Sequence, residues 1–318
     1  MAKKYTNTGN KDTRSGFGAG LLEAGRKNPN IVALTADLLG SVKMDAFAKE
    51  FPHRFFQCGI AEANMIGAAA GLAITGKVAF ASSFAEFVTG RVYDQIRQEV
   101  AYGHTNVKVC ASHAGITLGE DGATHQTMED IALMRALPGM VVINPCDYNQ
   151  CKAATLAIAE YEGPVYLRFG RPTMPNFTPE DQVFEIGKAI CLNEGTDVTI
   201  FATGHLVWEA VNAAELLEAE GISAEVIDIA TIKPLDVEAV VVSARKTGAV
   251  VCAEEHNMCG GLGELIAGVL AANVPTLIEY VNGADRFGQS GTPGELMKAY
   301  GLDAAHIVEA AKRAVSRK

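Results

Sequence analysis

At 318 residues the chain is longer than one hydrophobic core usually supports, so it is read as two domains. Its 48% hydrophobic and 20% charged residues are those of an ordinary globular protein, and a formal net charge of -10 argues against a nucleic-acid or anionic-membrane surface as the main partner, since such surfaces are held by clustered Lys and Arg. Seven cysteines, an odd count set mostly in apolar runs, predict free thiols in a reducing cytoplasm, and no segment has the apolar length of a signal peptide or a membrane span.

In chain order, IVALTAD (31–37), KVAFASS (77–83), VKVCAS (107–112), MVVINP (140–145) and VYLRF (165–169) read as strands. Between them, TRSGFGAGLLEAGRKN, AEANMIGAAAGLAITG, YDQIRQEVAY, MEDIALMRAL and QCKAATLAIAEY read as helices that close near Gly, Asn or Pro. This alternation predicts an α/β fold, a mostly parallel sheet covered by helices, over residues 1–178. A linker rich in Pro and polar residues, GRPTMPNFTPEDQ (170–182), follows. The pattern restarts with DVTIFATG, VWEAVNAAELLEAEG, AEVIDIAT, AVVCAEE, a glycine-broken turn MCGGLGE, an apolar helix and PTLIEYV, predicting a second, smaller α/β domain over 179–318.

Open parallel sheets bind ligands beyond the carboxyl ends of their strands, where loops converge and helix N-termini point. In the first domain those ends are unusually rich in chemistry. Asp37 and Ser41 follow the first strand, Glu62 follows HRFFQCGI, and Phe84 and Phe87 follow KVAFASS. His113 and the stretch GEDGATHQ (119–126), with Asp121 and His125, follow VKVCAS, and Arg168 lies in VYLRF. Singly, each has a plain structural reading: a first-turn acid complementing the helix dipole, a core aromatic stripe, satisfied histidines. Asp121 and His125, four apart, could ligate a metal on a helix, but the two glycines and the lack of H-E-x-x-H argue against a metal site. GFGAG (16–20) lacks the spacing and preceding strand of a dinucleotide motif, and CDYNQC lacks zinc or redox spacing. Gathering at one edge of one sheet is what points to a site.

The strings FFQCGIAEANMIGAAAGLA, SSFAEFVTG, SHAGITLGEDGATHQTMEDIALMRALPGMVV, VYLRFGRP and GADRFGQSGTPGELMKAYGL, in that order, resemble the C-terminal half of transketolase. The resemblance implies a thiamine-diphosphate-binding domain of the pyrimidine type followed by the family's C-terminal domain. It also implies reversible transfer of a two-carbon ketol unit from a ketose phosphate to an aldose phosphate. The family's Gly-Asp-Gly, which holds metal and diphosphate, has no counterpart: the Asp121-Gly122 pair follows Glu120 and belongs to another block. A split enzyme is therefore expected, its diphosphate and Mg2+ or Ca2+ held by a separate N-terminal subunit, with two copies of each chain in a heterotetramer.

By the same resemblance, Glu62 hydrogen-bonds the pyrimidine N1' and so supports catalysis, while Phe84 and Phe87 flank the aminopyrimidine. Asp121 contacts a substrate hydroxyl, and His125 lies beside the ketol oxygen, where it can stabilise charge or move a proton. His113, Arg168, Arg14 and Ser41 match a phosphate clamp, with Arg168 the firmer arginine because its forked donors suit phosphate. The chain departs from the family at Ala114 after His113, at Ala61 in GIAE and at Asn64. Competing readings are a 1-deoxyxylulose-5-phosphate synthase-like or 2-oxo acid dehydrogenase β-like thiamine enzyme, and a non-catalytic assembly partner. In the second domain His205, Glu254, Glu255 and His256 read as a solvated loop, and the domain is expected to serve packing and dimerisation.

Overall fold

The computed structural model describes residues 5–318. Asp12 ends a short strand, β1 (Asn10–Asp12), and accepts the Ser15 amide, which caps α1 (Thr13–Lys27). There follow β2 (Ile31–Thr35), α2 (Asp45–Glu50), β3 (Phe55–Gln57), α3 (Glu62–Ile74), β4 (Val78–Phe84) and α4 (Ala85–Val88). After these come α5 (Tyr93–Gln95), β5 (Val107–Ser112), α6 (Asp130–Arg135), β6 (Val141–Ile143), α7 (Tyr148–Glu160), β7 (Val165–Arg168) and β8 (Thr173–Pro175). The expected helix YDQIRQEVAY is mostly a π-helix, Ile96–Tyr102, running on from α5.

The second half contains β9 (Ile190–Asn193), β10 (Val198–Ala202), α8 (Leu206–Ala219), β11 (Ala224–Asp228), β12 (Thr231–Lys233) and α9 (Val237–Thr247). It ends with β13 (Ala249–Ala253), α10 (Leu262–Asn273), β14 (Leu277–Val281), α11 (Pro293–Ala299) and α12 (Ala304–Ser316).

The larger sheet has the order β12-β6-β7-β5-β4-β2-β3, parallel except for β12. Its inner strands are buried on both faces, which is why they read as unbroken apolar runs rather than alternating ones. The smaller sheet has the order β14-β13-β10-β11-β9, with β9 antiparallel. The sheets do not divide the chain cleanly: β12, well past residue 178, returns to pair antiparallel with β6 at the edge of the first sheet. Sequence pattern missed it because three residues are too few to show a period.

Phe17, Phe47, Phe80, Tyr166 and Phe169 are all but fully buried in the first half, each contributing roughly 1.5–3 kcal/mol. GFGAG serves packing. A Cβ on Gly16 would stand 2.4 Å from the Tyr148 carbonyl oxygen and one on Gly20 2.7 Å from the Thr155 Cβ, so these glycines let α1 lie against α7. Among the described residues no helix is long and apolar enough to cross a membrane.

Candidate active site

Strand order decides which side chains can meet. Because β7, β5, β4 and β2 are parallel neighbours, their carboxyl ends open at one edge. Phe84 ends β4 opposite Ser112 of β5, so the next residue, His113, arrives beside it. The His113 ring stacks on Phe84 at a centroid distance of 3.8 Å, and Phe84 lies 5.7 Å from Phe87, nearly parallel to it. His125 closes the group edge-on, 6.4 Å from Phe84 and 5.3 Å from Phe87. Four of the expected residues thus form one aromatic cluster.

Glu62 is the first residue of α3 and is buried, and its carboxylate receives the Arg91 guanidinium at 3.2 Å. The Arg91 Cζ stands over the Phe87 ring, 4.0 Å from its centroid, and the side chain is half exposed. A planar cation therefore fills the slot between the Glu62 carboxylate and the aromatic face of Phe87. A planar heteroaromatic with a hydrogen-bonding edge would find the same two surfaces there, so the residues present fit an aminopyrimidine.

On the other side of His113 stands a group of cations. Burial, then the charges of Arg14, Arg171 and Lys43, push its imidazole down to about 3, so it stays neutral at physiological pH. Its backbone has a positive φ of 61°, a strained conformation for a histidine, and Ser112 Oγ lies 2.7 Å from its Nδ1. Arg14 donates to the Ser41 carbonyl at 3.1 Å and pairs with Asp12 at 3.2 Å. Arg171 donates to the Leu118 carbonyl and pairs with Glu120, each at 2.7 Å. Arg14, Ser41 and His113 are therefore brought together, with Arg171 and Lys43 added by the fold.

Arg168 is placed elsewhere, which corrects its assignment to the phosphate clamp. Its guanidinium is 3% exposed, pairs through Nε with Asp130 at 2.7 Å and donates through Nη2 to the Glu255 carbonyl at 2.9 Å. Tyr166 donates to the same Asp130 oxygen at 2.6 Å. Burial alone would raise the Asp130 carboxyl, but Arg168, His256 and the Tyr166 hydroxyl together more than reverse that and hold it below its usual range. Arg168 is spent inside the protein. Three residues on, Arg171 has left the strand and is 37% exposed. The signal that could have found it was the second arginine of RFGR, just beyond the strand end.

The stretch 116–127 is a closed loop. The Gly115 amide donates to the Thr127 carbonyl at 2.9 Å, pinning its two ends together. Asp121 is exposed at its tip and His125 is half-buried. The four strand-end residues of the second half are not a solvated loop: Glu254 and His256 are fully buried, and His205 and Glu255 are nearly so. Glu254 caps α10, accepting the Leu262 and Gly263 amides at 2.7 and 2.8 Å. Glu255 accepts the Thr117 amide at 2.7 Å and faces His205 at 3.4 Å, across the seam between the two sheets. The second half supplied these buried partners, which no local pattern announces.

Residues 10–176 match the pyrimidine-binding domain of transketolase and residues 187–307 match the transketolase C-terminal domain. The chain belongs to the transketolase family. Such domains place it among thiamine diphosphate-dependent proteins. It is 50% identical over 302 residues to a putative transketolase C-terminal section from Methanocaldococcus jannaschii, covering 94% of this chain and 95% of that one. It is 46% identical to a 6-deoxy-6-sulfo-D-fructose transketolase subunit from a Clostridium species, covering 94% and 92%. Among solved structures, a split gene transketolase described as an inactive β4 tetramer superposes with a TM-score of 0.89 at 47% identity, covering 97% of this chain and 99% of that one.

Proposed function

We propose that the chain is the C-terminal subunit of a split transketolase that moves a two-carbon ketol unit between sugar phosphates, and that it works only with a separate subunit carrying the diphosphate-binding domain. The observation that carries this reading is the meeting of Phe84, Phe87, His113 and His125 in one contact group, with Glu62 joined to it through Arg91 and the cations Arg14, Arg171 and Lys43 beside it. An idle assembly partner would have no need to gather a buried carboxylate and three cations around one aromatic cluster.

Thiamine diphosphate, when bound, supplies the carbanion-stabilising centre that this chain lacks. In this chain Glu62 would take the hydrogen bond of the pyrimidine edge, and Phe84 and Phe87 would orient its ring and exclude water. Arg91 swings off Phe87 to admit it. His125, in edge contact with both rings, lies where it can hold or move a proton at the reacting carbon, and Asp121 at the loop tip takes a substrate hydroxyl. Arg14, Arg171, Ser41 and neutral His113 receive the anionic tail of the sugar. Forked guanidinium donors suit a phosphate, and His113 adds a donor without a charge. Glu62 opens a short helix whose N-terminal amides favour a negative charge.

The reading extends to a cytoplasmic assembly of two copies of this chain with two of its partner, the metal held by the partner. All seven cysteines are free, which fits a reducing compartment. Phosphorylated donors of the pentose type come first, and the sulfonated relative makes a sulfonated ketose the second donor to assay.

The test is reconstitution: this chain with a candidate partner bearing Gly-Asp-Gly, thiamine diphosphate and magnesium, assayed on xylulose 5-phosphate and on 6-deoxy-6-sulfofructose. Ketol transfer in the mixture, and in neither chain alone, is the expected result. Transfer by this chain alone, or formation of deoxyxylulose 5-phosphate from pyruvate and glyceraldehyde 3-phosphate with loss of CO2, would overturn the assignment.

A further inference from the structure

The loop 116–127 carries the residues assigned to the substrate; Arg171 holds it from its own half of the chain, at the Leu118 carbonyl and Glu120, and the other half holds it as well. From below, Glu255 at the end of β13 accepts the Thr117 amide at 2.7 Å, in a contact buried on both sides. From the side, the Gln126 carboxamide donates to the Ile116, Gly119 and Gln289 carbonyls at 3.0, 3.1 and 3.0 Å, so one side chain ties the loop to itself and to the segment before α11. Beyond the loop, the Asn257 amide donates to the Met128 carbonyl at 2.6 Å. The fit is close: a Cβ on Gly115, whose φ is 78°, would stand 2.3 Å from Glu255 Oε1, and one on Gly122 would stand 2.5 Å from Ser290 Oγ.

Glu255 is itself immobilised. His205 Nδ1 lies 3.4 Å from its second carboxylate oxygen, and its own carbonyl accepts Arg168 Nη2 at 2.9 Å. Through Arg168 it connects to Asp130, at the start of the helix that follows the loop. The loop is thus fixed at entry, middle and exit by groups that do not touch the aromatic cluster.

We propose that the transketolase C-terminal domain acts in catalysis through Glu255, a positioning residue that sets the loop 116–127, and with it Asp121 and His125, by the reach of its carboxylate to the Thr117 amide. The inference rests on the reading of that loop as the substrate-facing one. It gives the C-terminal domain a task beyond packing and dimerisation.

Two conservative variants separate reach from charge. Glu255→Gln keeps an acceptor at the same distance and loses the charge, whereas Glu255→Asp keeps the charge and withdraws it by one methylene. The first readout is hydrogen–deuterium exchange of the full chain, which needs neither partner nor substrate. Expected is faster exchange within 116–127 for Glu255→Asp, with the strands of both sheets protected as before and Glu255→Gln close to wild type. The second readout is the reconstituted enzyme: Glu255→Asp should lower kcat by roughly three- to tenfold, the worth of one buried hydrogen bond, with unchanged affinity for thiamine diphosphate by calorimetry. Glu255→Gln should restore most of it. The reverse order, Gln impaired and Asp intact, would mean that Glu255 only balances the charge of Arg168, and would overturn the proposal. Unchanged loop exchange in Glu255→Asp would overturn it as well. If the reconstituted wild type transfers no ketol unit, the functional reading fails, while the exchange experiment still decides whether Glu255 holds the loop.

Discussion

Arg168 and Arg171 are three residues apart, and their substitution to alanine should fail in opposite ways. Removing Arg168 strands Asp130, which is fully buried and whose paired oxygen would keep only the Tyr166 hydroxyl. Breaking a buried pair from one side costs about 3–5 kcal/mol. At about 2–4 °C per kcal/mol for a chain of this size or somewhat smaller, Arg168→Ala should lose roughly 6–20 °C in Tm. The sign with pH follows. In the wild type the carboxyl of Asp130 sits below its ordinary range, so its contribution is present above the unfolded pKa and fades as pH falls through the folded one. In Arg168→Ala the burial that raises it is opposed only by nearby His256 and the Tyr166 hydrogen bond, so the penalty should be largest at neutral pH and shrink toward pH 4. Arg171 is 37% exposed and its partner Glu120 58%, so Arg171→Ala should cost about 0–1 kcal/mol. Its loss should appear in binding instead. A hydrogen bond to a charged group is worth about 1.5–3 kcal/mol, which is about a 10- to 150-fold rise in KM for phosphorylated sugars, with little change for an unphosphorylated donor. Scanning calorimetry from pH 4 to 8 and steady-state kinetics of the reconstituted enzyme decide it. An Arg168→Ala protein that is as stable as wild type and impaired only in phosphate binding would refute the placement of both arginines.

Glu62→Ala should abolish ketol transfer and leave Tm within a few degrees, because its one ion pair is to a half-exposed arginine; measurable turnover would remove Glu62 from its role. Asp228 is fully buried, and burial pushes its carboxyl from 3.8 up to about 7. The folded state therefore binds the extra proton, and stability should decline as pH rises from about 4 to 7. Asp228→Asn, which keeps an acceptor for Gln150, should raise Tm at pH 8 and not at pH 4; an equal change at both would mean the carboxyl is already ionised in the fold. Gly16→Ala would press a methyl onto the Tyr148 carbonyl at 2.4 Å and should destabilise by about 1–3 kcal/mol in urea melts, whereas a neutral result would mean that α1 and α7 can part without loss.

What could be read in advance divides along a physical line. That Phe84, Phe87, His113 and His125 gather at one edge was legible because they follow strand-like apolar runs, and parallel strands deliver their carboxyl ends to one edge whatever their order. Which of two nearby arginines turns outward was not legible, since that depends on a partner, Asp130, brought in by a different helix. The same holds for His205, Glu255 and His256. Polar residues at a strand end look solvated until another layer is packed against them, and here residues of the first half, Thr117, Ala132 and Arg168, pack against them. The strand β12 escaped for the related reason that it is specified by pairing with β6 and not by its own pattern. Each failure lies at the seam between the sheets. At that seam a buried carboxylate of one half, Glu255, accepts the Thr117 amide of a loop in the other, so the contacts of that loop are not contained within the first domain.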